Sequence, residues 1–237
     1  MASNADPDTI LFAQHGWADT GGPIASLARA VAPPNTRIVA PNLGLLKTWF
    51  RIEPLIARLE TIAAEHLNAC PDAPIRIIGH SMGGVIWLEV LQRHPEWWPR
   101  VASFVLIGSP VGGSDVGRLL DPLGLGIGIA RDLGYNRREI AERIAAAVPT
   151  ISIAGDLHDG TDGLVPLEAT RFAHARWIIL KGLSHPILRT HPRVANAIRE
   201  IWYEHSSPAV EPECALHVAL RQRLQSVPGM TDAHSRH

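Results

Sequence analysis

Cysteine is scarce in this sequence of 237 residues. Cys70 and Cys214 lie far apart, and neither sits in a metal-like or redox-like spacing, so no thiol-based motif is present and each reads as an incidental or buried thiol. A surplus of charge is also missing. The chain carries 22 basic and 23 acidic residues, a net charge of −1, and gives no electrostatic footprint for nucleic acid. No stretch approaches the roughly twenty consecutive apolar residues of a membrane span. The opening Met1-Ala-Ser-Asn-Ala-Asp-Pro-Asp8 has neither a basic start nor an apolar run, so no export signal is expected. These absences point to a soluble, cytosolic protein. At 46% hydrophobic, with 20 Gly and 19 Pro, the chain suits one compact domain with a sizeable core and many turns.

The most informative stretch is Ile75-Arg-Ile-Ile-Gly79-His80-Ser81-Met82-Gly83-Gly84-Val85. Its apolar, β-branched beginning predicts a buried strand, and Val85 to Leu91 predicts a helix packed on the same sheet. Between them lies G-x-S-x-G. A chain that turns from strand to helix so sharply needs side-chain-free neighbours two positions either side of the apex, and it pushes the apical hydroxyl outward at the strand's carboxyl end. A helix-capping serine in an ordinary turn has the same letters. A nucleophile, however, also needs a base, an acid to orient that base and donors for an oxyanion.

The rest of the chain alternates. Thr9–Gln14, Thr36–Ala40, Val101–Ile107, Thr150–Ala154 and Arg176–Leu180 read as further buried strands. Helical spacing appears in Ile24, Leu27, Ala28 and Val31, then in Leu55, Ile56, Leu59, Ile62, Ala63 and Leu67, and finally between Pro192 and Glu204. Such alternation predicts an α/β fold, a mostly parallel sheet with helices on both faces. Ligands of these sheets sit at the carboxyl ends of the strands. Ser81, the polar loop from Gly155 to Pro166, the loop from Lys181 to Pro186 and His15-Gly16-Trp17 all come directly after strand ends, so they are expected to converge.

Three carboxylates in the polar loop are candidates for the acid: Asp156, Asp159 and Asp162. With His158 they also form an oxygen-and-imidazole group, but its spacing matches no calcium loop and a solvated polar loop explains it. No metal and no cofactor are expected. Among the histidines, His15 and His80 flank other motifs, His174 precedes its strand, and His191 stands before a proline at a helix start. His185 comes after the last strand and is the candidate base.

Together these residues resemble the α/β-hydrolases, in particular the lipase and esterase branch. Gly79-His80-Ser81-Met82-Gly83-Gly84 resembles the family's G-H-S-x-G-G elbow. Asp162-Gly163-Leu164-Val165-Pro166 resembles its acid loop, and His185 stands in Gly-x-Ser-His ahead of a helix, as the family's histidine does. Ile107-Gly108-Ser109-Pro110 with Gly113-Ser114 is similar to the turn before the lid in many lipases. The resemblance covers roughly residues 9 to 204. It implies that Ser81 attacks an ester carbonyl, that His185 relays the proton and that Asp162 orients the imidazole. It also implies an oxyanion hole from the amides of Met82 and Trp17, with Gly16 as the alternative to Trp17. The implied partner is a small-molecule ester, and Trp17, Trp49 and Trp87 suggest an apolar acyl or alcohol group. The same groups serve thioesters and acyl transfer, and a non-catalytic ligand-binding relative is the alternative of a different class.

Two stretches depart from the alternation. Residues 111–147 are apolar and glycine-rich, end in a short helical segment from Arg138 to Ala147, and are expected to form an inserted lid, although an ordinary long connection fits as well. Gly124, Gly126 and Gly128 do not make a phosphate loop, because no Gly-Lys-Ser/Thr comes after them and no strand feeds them. Residues 1–205 are thus expected to form the hydrolase domain. Residues 206–237 form a carboxyl-terminal extension in which Ala215–Leu224 suggests one short amphipathic helix, and otherwise loose order.

Overall fold

A computed structural model describes residues 7–44, 51–113 and 128–204. Its elements run β1 (Thr9–Gln14), α1 (Gly21–Val31), β2 (Thr36–Val39), α2 (Glu53–Ala69), β3 (Ile75–His80), α3 (Met82–Arg93), β4 (Val101–Ile107), α4 (Gly128–Gly134), α5 (Arg138–Ala145), β5 (Thr150–Asp156), β6 (Arg176–Lys181) and α6 (Pro192–Glu204). The six strands form one sheet in the order β2-β1-β3-β4-β5-β6, and every pairing is parallel.

Parallel strands are covered on both faces, which is why β1, β3 and β4 read as largely apolar runs, broken by Arg76 and Ser103. Alternation along each strand divides the side chains between the faces. Ile10, Phe12, Ile75, Ile77, Phe104 and Leu106 join one core with Leu55, Ile56, Leu59 and Ala63 of α2 and Val85, Ile86 and Leu88 of α3. Leu11, Ala13, Ile78, Val105 and Ile107 alternate with these, are equally buried and point to the other face. There α1 buries Ile24, Leu27, Ala28 and Val31, and Arg199 of α6 donates to the Ala30 carbonyl at 3.1 Å. At the far end of α2 the Arg100 guanidinium donates to the carbonyls of Leu67 and Cys70 at 3.3 and 2.6 Å and to Ala73 O in the turn beyond at 2.8 Å.

The strand order reverses between β1 and β3. From β1 the chain moves outward to β2, then returns to β3 on the opposite side of β1 and continues outward to β6. The loops leaving β1 and β3 therefore diverge from a crevice at the carboxyl edge, the place where such sheets bind ligands. Register puts Gln14 beside Gly79 and His80 beside Ile107, so the His15-Gly16 loop starts next to Ser81.

Of the expected lid, residues 114–127 lie outside the described residues. The part from Gly128 onward belongs to the body of the domain. Ile129 and Leu133 of α4 and Ala141, Ile144 and Ala145 of α5 are buried in the core shared with α2 and α3, so this part of the stretch is the helical crossover from β4 to β5. Arg137, between the two helices, is 4% exposed and holds Glu89 of α3 at 2.6 Å and the Asp132 carbonyl at 2.7 Å. The chain divides into compact units at Arg199 and Glu200, and the extension from 206 to 237 lies outside the described residues. No helix among the described residues is long and apolar enough to cross a membrane.

Candidate active site

Ser81 occupies the apex between β3 and α3 with φ 55° and ψ −125°, a backbone conformation that costs any residue with a Cβ. The turn is tight because its neighbours lack side chains: a Cβ on Gly79 would lie 2.4 Å from the Gly84 Cα, and one on Gly83 2.3 Å from the Gln14 carbonyl. Ser81 N–H donates to Ile107 O at 2.8 Å, fixing the apex to the end of β4. The serine is 8% exposed, and its Oγ makes no hydrogen bond among the described residues.

Asp162 and His185 meet. His185 Nδ1–H donates to Asp162 Oδ2 at 2.7 Å, and both residues are buried. A carboxylate only accepts, so the ring proton sits on Nδ1 and Nε2 is left as a base. The other oxygen, Asp162 Oδ1, accepts the amides of Leu164 and Val165 at 3.0 and 2.7 Å, which explains why the acid is followed by a tight Gly-Leu-Val turn. The loops are tied through main chain as well, His185 N–H donating to Asp162 O at 2.8 Å. Gly108 seals this pair from the side of β4. It has φ +56°, and a Cβ there would stand 3.1 Å from His185 Nδ1 and 3.2 Å from Asp162 Oδ2.

The other acid candidates are occupied elsewhere. Asp156 Oδ1 accepts the amides of His158 and Gly160, and Asp159 Oδ1 accepts from Thr161, both in exposed turns. Among the described residues no group of three or more His, Cys, Asp or Glu is placed to hold a metal ion. His191 Nδ1 accepts the Arg193 amide at the start of α6.

The His15-Gly16-Trp17 loop passes directly over the serine: a Cβ on Gly16 would be 2.8 Å from Ser81 Cβ and 3.4 Å from Ser81 Oγ. Trp17 is half-buried against the core, and Met82 is the first residue of α3, where its N–H has no helical carbonyl to meet. Trp87, expected near the pocket, is instead fully buried in the core with its ring 5.1 Å from that of Phe12, because the apolar run Val85–Leu88 covers more than one side of α3 and its own sequence does not say which side faces the crevice. Trp49 lies outside the described residues.

Three contacts escaped the sequence. His15 Nδ1–H donates to Gly16 O at 2.9 Å while Nε2 accepts Leu43 N–H at 3.1 Å, joining the loops after β1 and β2. Burial holds its pKa below the ordinary histidine value. His80 is wholly enclosed and donates Nε2–H to His185 O at 3.1 Å; burial, followed by the neighbouring His185, keeps its pKa well below the ordinary value. Arg189, one turn past His185, pairs with Asp19 of the first loop at 3.3 Å. In the sequence His15 and His80 were legible only as flanks of motifs.

No protein-family model and no curated protein matches this chain. Solved structures do. A lipase of Bacillus licheniformis in its mature form is 15% identical, with a TM-score of 0.62 over 85% of this chain and 94% of the other. Est1E of Butyrivibrio proteoclasticus, solved with ferulic acid bound, is 12% identical, with a TM-score of 0.65 over 87% and 93%. A thermophilic esterase of Thermogutta terrifontis is 17% identical, with a TM-score of 0.56 over 83% and 89%. With a parallel six-stranded sheet, its order reversal and wide overlap with these structures, the chain has the α/β-hydrolase fold.

Proposed function

We propose that this protein is a serine hydrolase that cleaves carboxylic esters through an acyl-enzyme on Ser81. The observation that carries the reading is the 2.7 Å bond between buried Asp162 and His185, formed at the sheet edge where the strained Ser81 apex also lies. His185 Nε2 takes the Ser81 hydroxyl proton as Oγ adds to the ester carbonyl, then returns it to the departing alcohol. Water attacks the acyl-enzyme with the same base. Asp162 holds the ring in the Nδ1–H form and balances the charge His185 acquires. The tetrahedral oxyanion is received by the amides of Met82 and Trp17, the second supported by the close passage of the Gly16 segment over Ser81. These side chains supply the nucleophile and the proton transfers without a cofactor. The half-buried Trp17 and the lipase and esterase neighbours favour an ester with an apolar acyl or alcohol group.

The test is labelling with a serine-reactive phosphonate beside turnover of short and long acyl esters and their thioesters, in wild type and Ser81→Ala. The expected result is one label on Ser81, turnover that falls roughly 10⁴-fold or more in the variant, and preference for oxygen esters. A folded wild type that takes no label and turns over none of these substrates refutes the reading and leaves a ligand-binding role. Faster thioester cleavage moves the assignment to a thioesterase.

A further inference from the structure

The bond from His80 to the His185 carbonyl lies outside the nucleophile, acid and base set, yet it joins two parts of that set. His185 stands on a loop, and loops drift more than the strands that carry them. Its ring is oriented by Asp162, but a side-chain bond does not fix the main chain beneath it. Two main-chain contacts do so. His185 N–H is held by Asp162 O at 2.8 Å, and His185 O is held by His80 Nε2–H at 3.1 Å. The second clamp comes from the last residue of β3, which is paired with Ile107 of β4 and immediately precedes Ser81. The imidazole rings of His80 and His185 are 4.9 Å apart.

We propose that His80 is a positioning residue for His185: from the rigid end of β3 its Nε2–H holds the His185 carbonyl, so that nucleophile and base are carried by one body. The inference rests on the reading of Ser81, Asp162 and His185 as the hydrolytic set. The tautomer is fixed by geometry. Nε2 faces a carbonyl and must carry the proton, while Nδ1 is buried and has no partner among the described residues. The role also requires a neutral ring, because His185 becomes cationic in each turnover and a charged neighbour would oppose it. Complete enclosure, with His185, Arg189 and His15 as the surrounding basic groups, keeps His80 uncharged.

The test compares His80→Leu, which removes the donor, with His80→Gln, whose amide can reach the same carbonyl. In His80→Leu, kcat is expected to fall about 10–100-fold with little change in KM, as for outer partners that orient a functional imidazole. The downfield proton resonance of the His185–Asp162 bond broadens with it. In His80→Gln that resonance and most of kcat return. A folded His80→Leu with wild-type kcat and a sharp resonance overturns the proposal, as does a glutamine variant as impaired as the leucine one. Should His80→Leu not fold, ¹⁵N shifts of the wild-type ring decide: a bare Nδ1 and a protonated Nε2 support the role, and a proton on Nδ1 refutes it. The resonance readouts need no substrate. Absence of phosphonate labelling in wild type therefore defeats the hydrolase reading without being mistaken for failure at His80.

Discussion

The backbone of Ser81 offers a quantitative check on the nucleophile elbow. At φ 55° and ψ −125° a side chain is held where only glycine is comfortable, and strain of this kind costs about 1–3 kcal/mol. Ser81→Ala removes the hydroxyl and keeps the Cβ; Ser81→Gly removes both. The difference between the two variants thus isolates the strain. Against its relief stand two losses. Glycine widens the unfolded ensemble by about 0.4–1 kcal/mol, and a buried methyl-sized group gives up at most about 0.8 kcal/mol of burial. Middle values leave glycine ahead of alanine by about 0.5–1 kcal/mol. For a chain of 237 residues that is a Tm higher by about 1–2 °C. Thermal unfolding of the two variants at matched concentration measures it, with phosphonate labelling absent from both. A glycine variant less stable than the alanine variant refutes the argument that the elbow stores strain to present its hydroxyl.

Single contacts elsewhere carry further expected outcomes. Gly108→Ala places a methyl 3.1 Å from His185 Nδ1 at a positive φ; we expect about 1–2 kcal/mol lower stability by urea unfolding and kcat reduced by up to about 100-fold, with phosphonate labelling slowed in step. His80 and His15 are held neutral in the fold but take up protons in the unfolded chain below the ordinary value of 6.5. Their stabilisation is therefore present above that pH and lost as pH falls through and below it, at up to about 1.4 kcal/mol per pH unit from His80 alone, and urea unfolding across this range should show a shallower slope in His80→Gln. Arg137→Met strands Glu89 beneath the β4–β5 crossover, and the loss should be about 3 kcal/mol by urea unfolding, near the low end for a broken buried pair because Glu89 keeps 17% of its surface. A loss under about 1 kcal/mol would show that the pair contributes no more than an exposed one and refute the reading of Arg137 as a buried anchor for Glu89.

Much of this fold was legible because its strands are buried on both faces. A strand enclosed that way is mostly apolar, so β1, β3, β4 and β5 stand out as short runs rich in apolar residues between turns, and their observed bounds fall close to those expected. The Ser81 turn was legible for a second reason. Its neighbours must be glycine, and a backbone requirement that strict leaves its mark locally. Strand order is different, since which strands pair is decided by contacts between distant residues. Alternation alone does not put β1 between β2 and β3, although that placement brings Gly16 over Ser81. Helix α5 was legible as a short helical segment, but α4 was obscured by composition: glycines and short apolar runs suggest a loose cover, and only tertiary packing shows Ile129, Leu133 and Ile144 inside the core. Buried polar contacts were the least legible. His80 and His15 carry the same letter as exposed histidines, and nothing in their neighbours along the chain marks the carbonyl or amide that each will meet. Those partners lie 105 residues away for His80 and 28 for His15, in loops brought together by the reversal in strand order. The positions that bind the loops of this site to one another are thus set by topology, while the residues named from motifs are set by local backbone geometry. Substitutions at the first kind should loosen the arrangement of the site, and substitutions at the second should remove its chemistry.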